Sequence, residues 1–326
     1  LSDASQRWRP SATLATLKAR AALLAQARQF FAARGVLEVD TPALINYPVT
    51  DVHIHSATVQ LPGASRRNFF LHTSPEYAMK RLLAAGSGDI YQICHVYRGE
   101  EGGRLHNAEF TLVEWYRLGW SMNELIGEVE IFAAELLAAA AGGLPERVDY
   151  QRAVEGTVGL NPLNATVAEL AECAVARGLE RRFATGLGRD ELLDWLMAVC
   201  IGPQLGQQGL CTVQRYPASQ ASLARLDPQD ARVALRFELY RSGVELANGF
   251  EELAAAPEQQ ARFAADQRER ERRGLPAVAA DELLLEALRA GLPPCAGVAV
   301  GFDRLLMLAL GAGSLEEVLS FGLDRA

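Results

Sequence analysis

The chain has 326 residues, 49% of them hydrophobic and 22% charged, enough to bury a large core in one big domain or two modest ones. Its net charge of -8 argues against a nonspecific nucleic-acid binder, which carries a basic excess. Five cysteines, scattered and never in a CxxC pair, indicate neither a disulfide framework nor a zinc site, and no apolar run of about 18 residues is present to span a membrane.

The opening LSDASQRWRPSATL lacks the basic-then-apolar order of a secretory signal, so a cytoplasmic location without membrane association is expected. SATLATLKARAALLAQARQFFAARG places Leu14, Leu17, Ala21, Leu24, Ala27, Phe30 and Phe31 near one helix face, with Ser11 as N-cap and Gly35 as C-cap. VLEVDTPAL reads as a strand stopped at Pro42. NFFLHTSPEYAMKRLLAAG reads as a strand, a turn and a helix ending at Gly86, and DIYQICHVYRGEE pairs with AEFTLVEWYRL as a long hairpin. From Met122 to about Asp230 the pattern is mainly helical. ARVALRFELYRSGVELANGF is a second hairpin, turning near Ser242 and Gly243. PEQQARFAADQRERERRG is a charged helix, Asp281 to Ala290 another, and GVAVGFDRLLMLALGA a strand entering a helix through Gly301. Hairpins with helices between them, without βαβ alternation, predict an α+β fold on an antiparallel sheet.

Strand alternation puts Arg98 and Glu100 on one face of the first hairpin, and Phe110, Glu114 and Tyr116 on one face of its second strand. If Arg98 stands opposite Phe110, all five converge, more polar groups than packing alone would hide. A solvated sheet face with a salt bridge is the structural alternative. In the second hairpin Glu238 and Glu245 are spaced to return to one face, where two carboxylates need a cation between them. Such oxygen-rich sites suit Mg²⁺ carried on phosphates. Asn248 and Glu252 follow in ELANGFEEL. Gly297 and Gly301 permit close approach of a ligand to the backbone, and Arg304 opens the last helix.

Three of these segments, in order, resemble the motifs of the class II aminoacyl-tRNA synthetases: the helix and strand ending at Pro42, YRGEE…HNAEF, and GVAVGFDRLLML. Within that class, TSPEYAMKRLL, RLHNAEFTLVEWY and ELANGFEEL are similar to the lysyl enzyme. The chain begins almost at the catalytic helix, so no anticodon-reading OB-fold and no stable tRNA binding are expected. It resembles the lysyl-enzyme paralogues that join (R)-β-lysine to a lysine of translation elongation factor P. The resemblance implies one catalytic domain over residues 1–326, a six-stranded antiparallel sheet flanked by helices, a mainly helical insertion around 122–230, and a homodimer through the first motif.

It also implies ATP and Mg²⁺, with (R)-β-lysine or lysine as substrate. By resemblance, Arg98 holds the α-phosphate and substrate carboxylate, Glu100 the adenine amino group and Asn107 the nucleotide, while Phe110 stacks under adenine. Arg304 covers the other adenine face and reaches the γ-phosphate, while His106, in the glycine-rich turn, either contacts the terminal phosphates or caps the loop. Leu246 and Gly301 belong to the nucleotide site, and Glu238 and Glu245 hold magnesium. Glu76 and Glu114 take the nearer amino group, Tyr116 and Glu252 the distal ammonium, and Asn248 the carboxylate. Ser74 and Ala299 line the amino-acid pocket, Ala299 standing where the lysyl enzyme usually has glycine. Two other readings use the same residues: a minimal lysyl-tRNA synthetase, and an inactive paralogue that binds ligands to regulate a partner.

Overall fold

The computed structural model of the chain describes residues 8–63, 68–99 and 102–326, so Glu100 lies outside the described residues. The chain divides into two compact units, Leu1–Trp120 with Leu136–Ala140 and Leu253–Ala326, and Ser121–Glu135 with Ala141–Glu252. Among the described residues no helix is long and apolar enough to cross a membrane.

In the first unit the strands Leu37–Glu38, Ile90–Tyr97, Glu109–Leu118 and Cys295–Gly301 lie side by side in that order. The first pair is parallel and the other two are antiparallel. Alternation gives this sheet two unlike faces. Tyr91, Trp115 and Val298 form one cross-strand row and Val113 and Val300 sit in the next, all buried. Phe31, from the helix Leu14–Ala32, stacks on Tyr91 at 4.2 Å between ring centroids and meets Trp115 edge-on at 5.1 Å. This apolar face anchors the sheet, each fully buried large side chain contributing about 1.5–3 kcal/mol. The opposite face is thereby left to the polar residues singled out in the sequence.

Two details differ from the sequence reading. Thr13, not Ser11, caps the first helix: its Oγ1 accepts from the Thr16 amide at 3.1 Å, while Ser11 Oγ accepts from the Gly322 amide at 3.1 Å. The strand expected to run to Pro42 stops at Glu38 and resumes as Leu44–Ile45 in a separate three-stranded sheet with Asn68–Leu71 and Thr58–Gln60. Proline has no amide hydrogen to continue a ladder. The helices Glu76–Ala84, Ala256–Arg272, Glu282–Gly291 and Phe302–Ala309 fall where expected. The last of these is fixed at its start, because buried Asp303 accepts from Arg20 through one oxygen and from the Thr111 amide, at 2.7 Å, through the other.

In the second unit the order is Val244–Glu251, Arg236–Arg241, Gly209–Gln214 and Gly143–Asp149, antiparallel except for the last pair. The hairpin turns where predicted, with Ser242 at φ 52° and Gly243 at φ 74°. Two left-handed residues make the type I′ turn whose twist matches that of the strands. The segment expected to be mainly helical contributes two strands of this set. GLCTVQ is a continuous buried run rather than an alternating one, a pattern that does not distinguish a strand from a buried helix. Helices Tyr150–Val158, Val167–Ala176 and Arg189–Leu196 pack Val154, Leu170 and Leu193 against Val213, Tyr216 and Tyr240. The six antiparallel strands implied by resemblance are met as three in each unit, and each unit adds one strand in parallel pairing, giving eight.

Candidate active site

In the first hairpin Val96 stands opposite Phe110, and the Arg98 amide bonds to the Ala108 carbonyl at 2.9 Å. Arg98 is thus opposite Ala108 rather than Phe110. A shift of two residues preserves strand parity, so the shared face survives the correction. The guanidinium carbon of Arg98 lies 5.1 Å from the Phe110 ring centroid, and its Nε donates to the Thr73 carbonyl at 3.4 Å. Farther along the same face, Glu114 is 2% exposed and accepts from Ser74 Oγ and from the Tyr116 hydroxyl, each at 2.8 Å. Its charge is felt nearby: burial first and Glu114 second push the Cys94 thiol up to about 12.

Ala299 is the cross-strand neighbour of Glu114, and Gly297 that of Tyr116. Ser74, Glu114, Tyr116 and Ala299 are therefore brought together by two adjacent ladders and the turn before the helix Glu76–Ala84. Glu76 joins them through its backbone, its amide donating to Ser74 Oγ at 3.0 Å. Its carboxylate instead accepts from buried Lys80 Nζ at 2.6 Å.

The second and third motif segments meet at Arg304. Its Nε donates to the Leu105 carbonyl at 3.2 Å and its Nη2 lies 2.9 Å from His106 Nε2. A guanidinium can only donate, so His106 Nε2 is the acceptor and carries no proton. Asn107 closes the same turn, Nδ2 donating to the Glu109 carbonyl at 2.6 Å. Gly301 is the N-cap of the helix that begins at Phe302 and carries Arg304.

In the second unit Glu238 pairs across the ladder with Asn248, and Tyr240 with Glu245. All four share one face. Between them the register slips by one residue, Leu239 pairing with Ala247, so that Leu246 is the extra residue of a β-bulge. Regular pairing would set Asn248 opposite Phe237, on the other face. The bulge is what adds Asn248 to the two glutamates.

Glu238 is buried and well supplied with donors. Oε2 accepts from the Tyr216 and Tyr240 hydroxyls at 2.5 and 2.6 Å, and Oε1 accepts from Arg236 Nη2 at 2.6 Å. Burial first and the Glu238 charge second push both phenols well above the ordinary tyrosine range, so they remain O–H donors. Glu245 is half-buried, Leu246 buried and Glu252 buried, the last bridged through its backbone to Ala224.

Arg236, Tyr216 and Tyr240 were not anticipated. The first and last were legible: Arg236, Glu238 and Tyr240 are alternate residues of one strand and so share a face. Tyr216 carries no local sign of its role. As for a metal, Glu238 Oε1 has one donor and keeps a lone pair, and Glu245 sits on the same face. Two hard oxygen ligands fit a magnesium ion that draws its other ligands from phosphate and water.

The profile of the family described as tRNA synthetases class II (D, K and N) matches residues 4–325. A protein of Salmonella gallinarum named "Elongation factor P--(R)-beta-lysine ligase" is 47% identical over 322 residues, covering 98% of each chain. A protein of the same name from Mannheimia succiniciproducens is 48% identical over 326 residues, covering 98% of this chain and 99% of its own.

Proposed function

Because the chain belongs to the class II tRNA synthetases (D, K and N), we propose that it activates (R)-β-lysine, and α-lysine less well, with ATP and transfers it to a lysine ε-amino group of translation elongation factor P. The near full-length relatives carry that name, and one observation supports the chemistry. A guanidinium, Arg98, and a buried carboxylate held by two hydroxyls, Glu114, lie on one sheet face. The first suits a phosphate and a carboxylate, the second an ammonium.

A substrate carboxylate is ionised at neutral pH and needs no general base. Its oxygen attacks the α-phosphorus, the bond to the β-phosphate oxygen breaks, and pyrophosphate leaves. The requirement is alignment and cancellation of negative charge, assigned to Arg98 and Arg304. Phe110 is assigned to adenine, with Glu100, His106, Asn107, Leu246 and Gly301 around the nucleotide. Glu245 and Glu238 would hold magnesium, which when bound neutralises phosphate charge. Glu114 with Ser74 would take the nearer amino group, Tyr116 and Glu252 the distal ammonium, and Asn248 the carboxylate. Glu76, paired with Lys80, would act chiefly through its backbone bond to Ser74. In the second step the acceptor amine, whose free pKa is near 10.4, loses a proton and attacks the carbonyl carbon as AMP leaves. A homodimer through the first helix belongs to the same reading.

The deciding experiment gives purified protein ATP with either lysine, then adds elongation factor P or bulk tRNA, and identifies the product by mass. The expected result is ATP-dependent modification of elongation factor P alone. Charged tRNA would instead make the chain a lysyl-tRNA synthetase, and no pyrophosphate exchange with either amino acid would leave a ligand-binding paralogue.

Ala299→Gly tests the substrate preference. Ala299 is half-buried beside Glu114, and moving an amino group by one carbon changes what its methyl meets. The variant is expected to raise the α-lysine to β-lysine activation ratio by about tenfold, one methyl being worth roughly 1–3 kcal/mol. An unchanged exchange ratio would remove Ala299 from the pocket.

A further inference from the structure

Arg236 reaches three groups at once. Nε donates to Asn248 Oδ1 at 3.2 Å, Nη1 to the Gln220 carbonyl at 2.8 Å and Nη2 to Glu238 Oε1 at 2.6 Å, with the guanidinium 4.5 Å from the Tyr216 ring centroid. The Gln220 anchor is itself held, Gln220 Nε2 donating to Asp194 of the helix Arg189–Leu196 at 2.7 Å. Two residues in left-handed backbone conformation without being glycine, Arg215 at φ 61° and Ser222 at φ 52°, bracket that loop. Such conformations cost roughly 1–3 kcal/mol each and persist where surrounding contacts over-determine them.

The direction of the Nε bond matters most. An arginine nitrogen cannot accept, so the atom of Asn248 facing it must be the carbonyl oxygen. The amide is thus held in one of its two orientations. Asn248 is half-buried, and among the described residues no protein acceptor takes its Nδ2. We propose that Arg236 is a positioning residue for the amino-acid carboxylate: it locks the Asn248 amide so that the NH₂ end is presented to the substrate. This rests on the assignment of Asn248 to the carboxylate. Lysine cannot take the place of arginine here, because its single ammonium lacks the planar fork that serves three acceptors in fixed directions.

Pyrophosphate exchange is measured for the unaltered protein and for Arg236→Lys, Asn248→Ala, the double variant and Asn248→Asp. Arg236→Lys is expected to raise the amino-acid KM by about tenfold with kcat little changed, the scale of one hydrogen bond. In the Asn248→Ala background the same change is expected to add nothing. An equal rise in both backgrounds, or none in either, overturns the proposal. Asn248→Asp keeps an oxygen for Arg236 but turns a second one toward the substrate. Its thermal midpoint should hold while its amino-acid KM rises, and an unchanged KM overturns the proposal even if Arg236→Lys fails to fold. If the unaltered protein exchanges with neither lysine, the functional reading itself fails. The same four-variant cycle in urea unfolding then decides separately whether Arg236 holds the amide, additive losses showing that it does not.

Discussion

Arg98→Ala is expected to lower pyrophosphate exchange by roughly 10²–10³-fold, the range for removing one preorganised charge-stabilising donor from a closed site. The side chain is half-buried, with its guanidinium near the Phe110 ring and its Nε donating to the Thr73 carbonyl. The exchange rate, read beside the thermal midpoint, separates a loss of chemistry from a loss of fold. Arg98→Lys keeps the charge but loses the planar fork that meets a phosphate and a carboxylate together, and should recover only part of the rate. Exchange by Arg98→Ala at the unaltered rate would show that this face does not handle the nucleotide.

Glu238→Ala should strike stability first. The change leaves the Arg236 guanidinium, whose side chain is 17% exposed, without its carboxylate, and leaves the Tyr216 and Tyr240 hydroxyls without their acceptor. Breaking a buried pair from one side costs roughly 3–5 kcal/mol, because the surviving charge stays buried and unmatched. In the unaltered protein burial opposes charge on Arg236, while the neighbouring negative groups, Glu238 foremost, hold its pKa above the usual arginine value. Without Glu238 that support is lost, yet a guanidinium is too basic to escape by deprotonation. Urea unfolding at neutral pH measures the effect; a loss below about 1 kcal/mol would mean that the second unit rearranges to re-pair these groups. Glu238→Gln keeps an oxygen for the phenols and should fall between.

The two hairpins were readable because alternation leaves little freedom: a residue's face follows from its parity. Glu114 and Tyr116 could be placed together on that ground alone, and an error of two residues in the pairing of Arg98 did no harm for the same reason. What could not be read were the features that break alternation or act across distance. Nothing in ELANGF announces that Leu246 bulges out of the ladder. Tyr216 reaches Glu238 only because its ring enters the helical core of the second unit, a tertiary fact. The segment after Met122 reads as mainly helical from its Ala-rich amphipathic stretches, and its strand GLCTVQ, buried along almost its whole length, lacks the alternation that marks a half-buried strand. The ion pair of Glu76 with Lys80 follows from helical spacing, yet that spacing does not say that the lysine is buried.

The surplus residue at Leu246 ties the face of Asn248 to the kink itself. Excising Leu246 would close the hairpin into an unbroken ladder and leave Asn248 still opposite Glu238, whereas flattening the kink at full length would transpose Asn248, and everything after it in the strand, to the reverse side. Two strand lengths can therefore present the same three side chains, the shorter one regular and the longer one bent.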